Sequence, residues 1–202
     1  MKITFCAWLR TTAKEVIFMK KIVLQFVDSW HELKHLRTIV LTAMLTAVGV
    51  ILGFMFTIQL TDFLKIGLSS VANELTALMF GPVVGGLMGG VSDIIKFVLK
   101  PTGAYFFGFT LNAILGAVIY GVIFYHRPVT FRRILGAKIL VAVFVNLLLG
   151  TLWLSIMYGK GFIGLLPARA VKQVCSVPVE AFIFYLLAKA LERAKVFQLL
   201  KK

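Results

Sequence analysis

An all-α membrane protein of six transmembrane helices is the fold class this chain predicts, and three observations predict it. The sequence is 60% hydrophobic with a mean hydropathy of +0.95. Only 15% of its residues are charged, against about 25% in an ordinary soluble domain. Apolar stretches of the length of one bilayer crossing, ~20 residues, recur along it. So little polar surface cannot cover that much apolar side chain in water. It must face lipid.

The first span reads Leu36–Leu60. The next, about Leu68 to Phe80, is shorter and more polar, and Gly81-Pro82 breaks the chain after it, with Pro82 at a favourable first helical position. Pro82–Leu99 is the third span, and Pro101 with Gly103 ends it. Ala104–Tyr125, Ile134–Tyr158 and about Leu166–Ala194 complete the set. Segments two and three also suit a re-entrant pair, but six crossings is the preferred reading. The domains are then a cytoplasmic or interfacial segment 1–35, a membrane domain 36–195 and a basic cytoplasmic tail 196–202. Residues 1–18 lack the apolar core and small-residue cleavage site of a signal peptide. Met19-Lys20-Lys21 offers an alternative translation start, which makes 1–18 a candidate extension.

Orientation follows from charge. The chain holds 22 Lys and Arg against 8 Asp and Glu, a net charge of +14. Such an excess suits nucleic acid as well as membranes, but these residues collect at the ends of apolar stretches, as beside anionic cytoplasmic headgroups. No nucleic-acid partner is expected. With the amino terminus inside, sixteen basic residues fall at inner ends, including Arg132, Arg133 and Lys138. Six fall elsewhere: Lys65, Lys96, Lys100, Lys160, Arg169 and Lys172. Both termini are therefore predicted to be cytoplasmic.

Several chemistries are unsupported. No GxxxxGK[ST] phosphate loop, HExxH or GxSxG string occurs. Cys6 and Cys175 are far apart and form no CxxC. His31 and His35 have the spacing of helical metal ligands, but they lie in the amphipathic string SWHELKHLR without a third ligand, so an interfacial helix is the better reading and no metal site is assigned. The pairs Gly49/Gly53, Gly85/Gly89 and Gly86/Gly90 form GxxxG patterns that suit close helix packing in lipid, and Ala43/Ala47 share that spacing.

Polar residues inside the spans carry the functional signal, because such groups usually face a bundle interior or an aqueous cavity. Arg169, Lys172, Gln173, Ser176 and Glu180 fall at i, i+3, i+4, i+7 and i+11, along one helical face. Asp93, Lys96 and Lys100 do the same in the third span. Two cation-rich stripes predict one outward-opening cavity. The competing reading pairs Asp93 with Lys96, and Arg169 or Lys172 with Glu180, for structure alone. Tyr105, Phe106, Phe107, Phe109, Trp153 and Tyr158 lie near the same side. Most suit an interfacial belt, yet a flat ligand needs rings to stack on, with Asn112, Asn146 or Gln173 for edge hydrogen bonds. The residues point to a small anionic ligand with a planar ring.

The run FGPVVGGLMGGVSDIIKFVLKPTGAYFFGFTLNAILGAVIYG (Phe80–Gly121) resembles the substrate-binding, or S, components of energy-coupling factor (ECF) vitamin transporters. TDFLKIGLSSVANELTALMFGP before it and LSIMYGKGFIGLLPARAVKQ (Leu154–Gln173) after it look like the folate-specific branch. The likeness covers about residues 36–190. It implies a six-helix S-component bundle in a bacterial cell membrane that binds folate from outside, without catalysis and without a cofactor. It also implies a transmembrane coupling protein and two cytoplasmic ATPases as partners, with toppling in the membrane for release. The family's AxxxA docking motif matches Ala43 and Ala47, and its lid corresponds to Thr61–Ser69. LSSVAN (Leu68–Asn73) departs from the family's FSFLP-like lid. By position in the matching strings, Arg169 and Lys172 are the expected carboxylate or pterin partners, with Lys100 and Lys65 near the mouth. Tyr105, Phe109, Trp153 and Tyr158 are the stacking candidates, and Asn112 and Gln173 the hydrogen-bonders. The alternatives are an S component for riboflavin, thiamine or pantothenate, an intramembrane enzyme using Asp93 or Glu180, or a membrane subunit with no ligand.

Overall fold

A computed structural model describes residues 19–55, 57–61, 64–67, 69–99, 105–159 and 161–193, with backbone alone for 57–61 and 64–67. The segment 1–18, the basic tail, Lys100 and the Lys65 side chain lie outside the described residues.

The order is helix α1 (19–32), helix α2 (Leu36–Met55), strands β1 (Thr57–Thr61) and β2 (Leu64–Gly67), and helices α3 (Ser69–Leu99) and α4 (Phe107–Phe124). Then come α5 (Phe131–Val141), a π-helical stretch Ala142–Leu149, α6 (Gly150–Tyr158) and α7 (Phe162–Arg193). Among the described residues five helical stretches are long and apolar enough to cross a membrane, with Phe131–Tyr158 counted as one. The strands form an antiparallel hairpin, so the first span stops at Met55 rather than Leu60 and the expected lid region is partly sheet.

α3 is two helices. At Gly81 the backbone takes φ 89° and ψ −174°, a conformation suited to glycine, and Pro82 restarts the helix with φ fixed by its ring. The chain reverses there. A Cβ on Gly85 would lie 2.7 Å from Ala77 Cβ, Ser92 donates to Asn73 Oδ1 at 3.1 Å, and Lys96 donates to Ser69 Oγ at 2.8 Å. These contacts define an antiparallel pair of arms, 69–80 and 82–99. The first arm is only ~18 Å long at 1.5 Å per residue, short of the ~30 Å hydrocarbon core. Among the described residues six rods therefore form the bundle, and Leu36 and Arg193 lie at its Gly81 end, while Met55, Phe107 and Tyr158 lie at the Ser69 end.

Glycines set the closest approaches. A Cβ on Gly49 would meet Ala72 at 2.8 Å, one on Gly89 the Ala113 carbonyl at 2.7 Å, and one on Gly121 the backbone of Pro82. Internal packing is thus the role of all three GxxxG pairs, as small residues in lipid allow. On α2 the buried face carries Thr38, Thr42, Thr46 and Gly49. Thr42 and Thr46 return their hydroxyls to the carbonyls of Thr38 and Ile39, and of Thr42, which satisfies them where water is absent. Ala43 and Ala47 point outward, roughly 100° around the helix from that face.

An apolar plug fills the Gly81 end, where Tyr120, Phe124 and Phe184 stack in series beside Ile134, Ala137 and Ala188. α1 closes it from outside the bundle. Ser29 donates to the Phe80 carbonyl at 2.7 Å and accepts from the Val83 and Val84 amides at 3.0 and 3.2 Å. It thereby caps the second arm of α3 from another helix, supplying the acceptor a helix start needs.

The π-helical stretch changes which residues face inward. Lys138 and Val141 are buried before it, Ala142 and Val145 in its first half, and Gly150, Thr151 and Leu154 after it. An unbroken α-helix would continue from Val145 to Leu148 and Leu152, but these are 43% and 41% exposed. The extra residue of a π turn produces that offset.

Candidate functional site

Between the two arms of α3, α4, the π-helical rod and α7 lies a cavity of about 340 Å³. That falls within the ~300–1,000 Å³ of small-molecule sites. Small side chains make part of that space: α4 offers Ala113, Gly116 and Ala117 to the wall, beside Asn112 and Tyr120. Apart from Val141 the rest of the lining is polar, with Ser69, Ser70, Asn73 and Glu74 from one arm, and Ser92, Asp93 and Lys96 from the other. Asn112, Tyr120, Asn146 and Glu180 complete it.

The floor is a buried ion triad. Lys138 Nζ reaches Glu74 Oε1 at 2.6 Å and Glu180 Oε2 at 2.9 Å, and Lys138 and Glu74 are each 2% exposed. Lys138 also lies 5.7 Å from the Tyr120 ring centre. Lys138 is therefore an interior residue, not one of the inner-end cations. The reason is helical phase: it shares the inward face of Ile134 and Val141. Lys138 is the ion-pair partner that Glu180 takes across the bundle. One ammonium thus serves two carboxyl groups, an arrangement that a low-dielectric interior tolerates only when it is well hydrogen-bonded.

Nearer the Ser69 end, Tyr105 donates to Thr110 Oγ1 at 2.8 Å, because the Thr110 proton itself goes to Asp93 Oδ2 at 2.8 Å. Asp93 thus accepts from a hydroxyl and Lys96 donates to Ser69 Oγ, so the expected Asp93–Lys96 pair is replaced by neutral partners. Trp153 Nε1 donates to Asn112 Oδ1 at 3.1 Å, and Arg169 Nη1 donates to the Gly150 carbonyl at 2.7 Å. Gly150 permits that convergence: a Cβ there would lie 2.8 Å from Arg169 Nη2 and 3.5 Å from Asn112 Nδ2. Among the described residues neither Lys96 nor Arg169 has an ion pair.

Of the residues singled out in the sequence, Asp93, Lys96, Asn112, Asn146 and Glu180 line the cavity directly. Trp153 and Arg169 stand immediately behind it, and Tyr105 acts on Asp93 through Thr110. Phe109 packs edge-on to Phe106, 6.1 Å between centres, and Phe106 lies 5.6 Å from Trp153. Tyr158 is surface-exposed at the end of α6, while Lys172 and Gln173 are half-buried on α7. Lys65 and Lys100 flank this end in sequence, outside the described side chains. Sequence reasoning missed Glu74, Lys138, Ser70 and Asn73. A lone acid within an apolar segment was the available signal for Glu74, and a lone Lys at core-facing spacing the signal for Lys138.

The family model for the substrate-specific component of ECF transporters matches residues 37–188. The folate transporter FolT of Clostridium novyi (strain NT) is 34% identical over 170 residues, covering 84% of this chain and 98% of that protein. FolT of Leuconostoc mesenteroides subsp. mesenteroides is 30% identical over 157 residues, covering 75% and 84%. A crystal structure of FolT bound with folic acid superposes with a TM-score of 0.72 at 35% identity, covering 77% of this chain and 95% of that one.

Proposed function

The chain belongs to the substrate-specific components of ECF transporters, and from that premise we propose that it is the folate-binding subunit of such a transporter. As a member of that family it is a multi-pass membrane protein that captures cargo and does no catalysis. The observation carrying the folate reading is a polar, partly cationic cavity of about 340 Å³ inside the membrane domain, in a chain similar to a protein crystallised with folic acid. Trp153 and Phe106 supply ring surface beside Asn112. Lys96 and Arg169 supply cations for a dicarboxylate tail, where charge-assisted contacts are the strong ones.

In this proposal the Ser69 end faces outward and the Gly81 end faces the cytoplasm of a bacterial cell, with both termini inside. The excess of Lys and Arg at the Gly81 end supports that orientation. Folate is cargo rather than cofactor, and no cofactor is needed. The chain works with a transmembrane coupling protein and two cytoplasmic ATPases. The outward, exposed position of Ala43 and Ala47 on α2 supports their use as the docking stripe.

Folate titration of the purified chain, read by tryptophan fluorescence, tests the cargo. Quenching by folic acid that largely disappears in Trp153→Phe is the expected result. Tight binding of riboflavin, thiamine or pantothenate with none of folic acid would overturn it and select the other cargo.

A further inference from the structure

We propose that α1 is an in-plane anchor that seats the Gly81 end on the anionic phospholipid of the inner leaflet, with an apolar stripe among the acyl chains and lysines on the phosphates. The proposal takes its orientation from the reading above and nothing from the cargo. At roughly 100° per residue, α1 divides into three sectors. Ile22, Gln25, Phe26 and Ser29 face the protein, and Gln25 and Ser29 are buried. Met19, Val23, Val27 and Trp30 form a second sector, 46–66% exposed. Lys20, Lys21, Asp28 and His31 form a third, also exposed, with Leu24 the one apolar residue among them. The sector centres lie roughly 105–140° apart. A helix that packs on a bundle in water turns its apolar side inward, whereas α1 turns an amide and a hydroxyl inward. Three sectors suit a helix that meets protein, hydrocarbon and water at once, as an interfacial helix does.

The contacts of α1 put it at the required depth. Ser29 Oγ donates to the Phe80 carbonyl at 2.7 Å, and Gln25 Nε2 donates to the Tyr125 carbonyl at 3.2 Å. These acceptors end different rods at one level, since a Cβ on Gly81 would lie 3.3 Å from Tyr125 Cδ1. Residues 25 and 29 are ~6 Å apart along α1, so the helix runs across the rod ends, in the membrane plane. α2, which follows it, is 20 residues long and spans ~30 Å, the thickness of the hydrocarbon core. The turn 33–35 between them therefore falls at the headgroup boundary. Thr38 braces that corner by donating to Glu32 Oε2 at 2.9 Å. Tryptophan favours that depth, and Trp30 is there.

Charge selects the lipid. Lys20, Lys21, Lys34 and Arg37 are exposed around the stripe. The Tyr125 contact brings the turn with Arg127, Arg132 and Arg133 beside them. Against these cations α1 sets Asp28 and Glu32, and Glu32 already accepts from Thr38. A basic cluster at headgroup depth draws anionic lipid.

The test reads Trp30 in nanodiscs holding the full chain, as the part of the tryptophan quenching that W30F removes. Both leaflets are alike and no folate is added, so the result depends neither on orientation nor on cargo. Lipid with a quencher just below the headgroup should act on Trp30 at least about twofold more than lipid with it at the chain ends. Phosphatidylglycerol with brominated chains, as a third of the lipid, should quench it at least about twofold more than phosphatidylcholine with the same chains. That excess should vanish in about 0.5 M salt, and in K20Q/K21Q/K34Q, while the depth ratio holds. Equal quenching by the two lipids overturns the proposal without any charge variant. So does quenching mainly from the chain ends, which would place α1 against hydrocarbon alone. A Trp30 reached by aqueous iodide but by neither lipid, or by no quencher at all, would put water or another protein surface over that sector, and overturns it too. A wrong orientation would instead show as a carboxy-terminal tail open to protease outside intact cells, with these ratios unchanged.

Discussion

The two ends of the bundle are built from the same helices and do opposite things. At the Gly81 end α3, α4 and α7 contribute Leu78, Phe124 and Phe184, and the space closes. Toward the Ser69 end the same helices contribute Ser70, Asp93, Asn112 and Glu180, and a cavity opens. Backbone geometry cannot explain the contrast, since the rods pack antiparallel throughout. Side-chain volume and polarity do. The stacked rings Tyr120, Phe124 and Phe184 fill one end, whereas Ala113, Gly116 and Ala117 leave the other unfilled. The Glu74–Lys138–Glu180 triad lies at the boundary, touching Tyr120 on one side and the cavity on the other.

Breaking that boundary should have the largest effect. Lys138→Met strands the buried Glu74 and the half-buried Glu180 and is expected to cost about 3–5 kcal/mol, read as a lowered Tm in detergent. Adding Glu74→Gln and Glu180→Gln to that variant should restore much of the loss. A Lys138→Met that melts like wild type would mean the triad is not an ion network. Phe184→Ala attacks the closed end. Lipid is as apolar as the core, so mainly the packing share is lost, about 1–3 kcal/mol. Its Tm should fall while folic acid affinity holds, and loss of binding would show that the two ends are not independent. Arg169→Ala should do the reverse, weakening folic acid by about 1.5 kcal/mol or more with little change in melting. Unchanged affinity would confine Arg169 to bracing Gly150. Smallest for the isolated chain is Ala43→Leu, expected to leave melting and folate binding within about 0.5 kcal/mol, as at most exposed sites. Its effect should appear only as reduced co-purification with the coupling protein, and normal assembly would return the Ala43/Ala47 stripe to lipid contact.

These contrasts mark how far the sequence could be read. The helical rods, the break at Gly81-Pro82 and the packing role of the glycines were legible, because apolar length and small-residue spacing are local signals. Asn112, Trp153 and Arg169 were legible as polar or ring residues in apolar surroundings. Lys138 was misplaced because it follows Arg132 and Arg133 by a few residues and so joins their cluster in a charge count. Only its helical phase distinguishes it. Glu74 escaped notice because its meaning depends on Lys138 and Glu180, which are 64 and 106 residues away in sequence. The Ser29 cap on α3 is likewise a long-range contact, between residues 51 to 55 positions apart, with no local trace.

The π-helical stretch in the fifth rod has a consequence for how this wall tolerates change. It works as a phase adjuster between two clocks: below it the residues keep time with the closed end, above it with the mouth. Deleting one residue there removes the extra residue that the π turn absorbs, so the rod can run as an unbroken α-helix with both clocks in step, Gly150 and Leu154 then following Val145 at i+4 and i+8. Closing the π turn at unchanged length would instead turn the upper clock by roughly 100° and swing Leu148 and Leu152 inward where Gly150 and Thr151 now face. Point substitutions around the cavity adjust its grip one group at a time, but loss of that one turn would bring leucine to the wall.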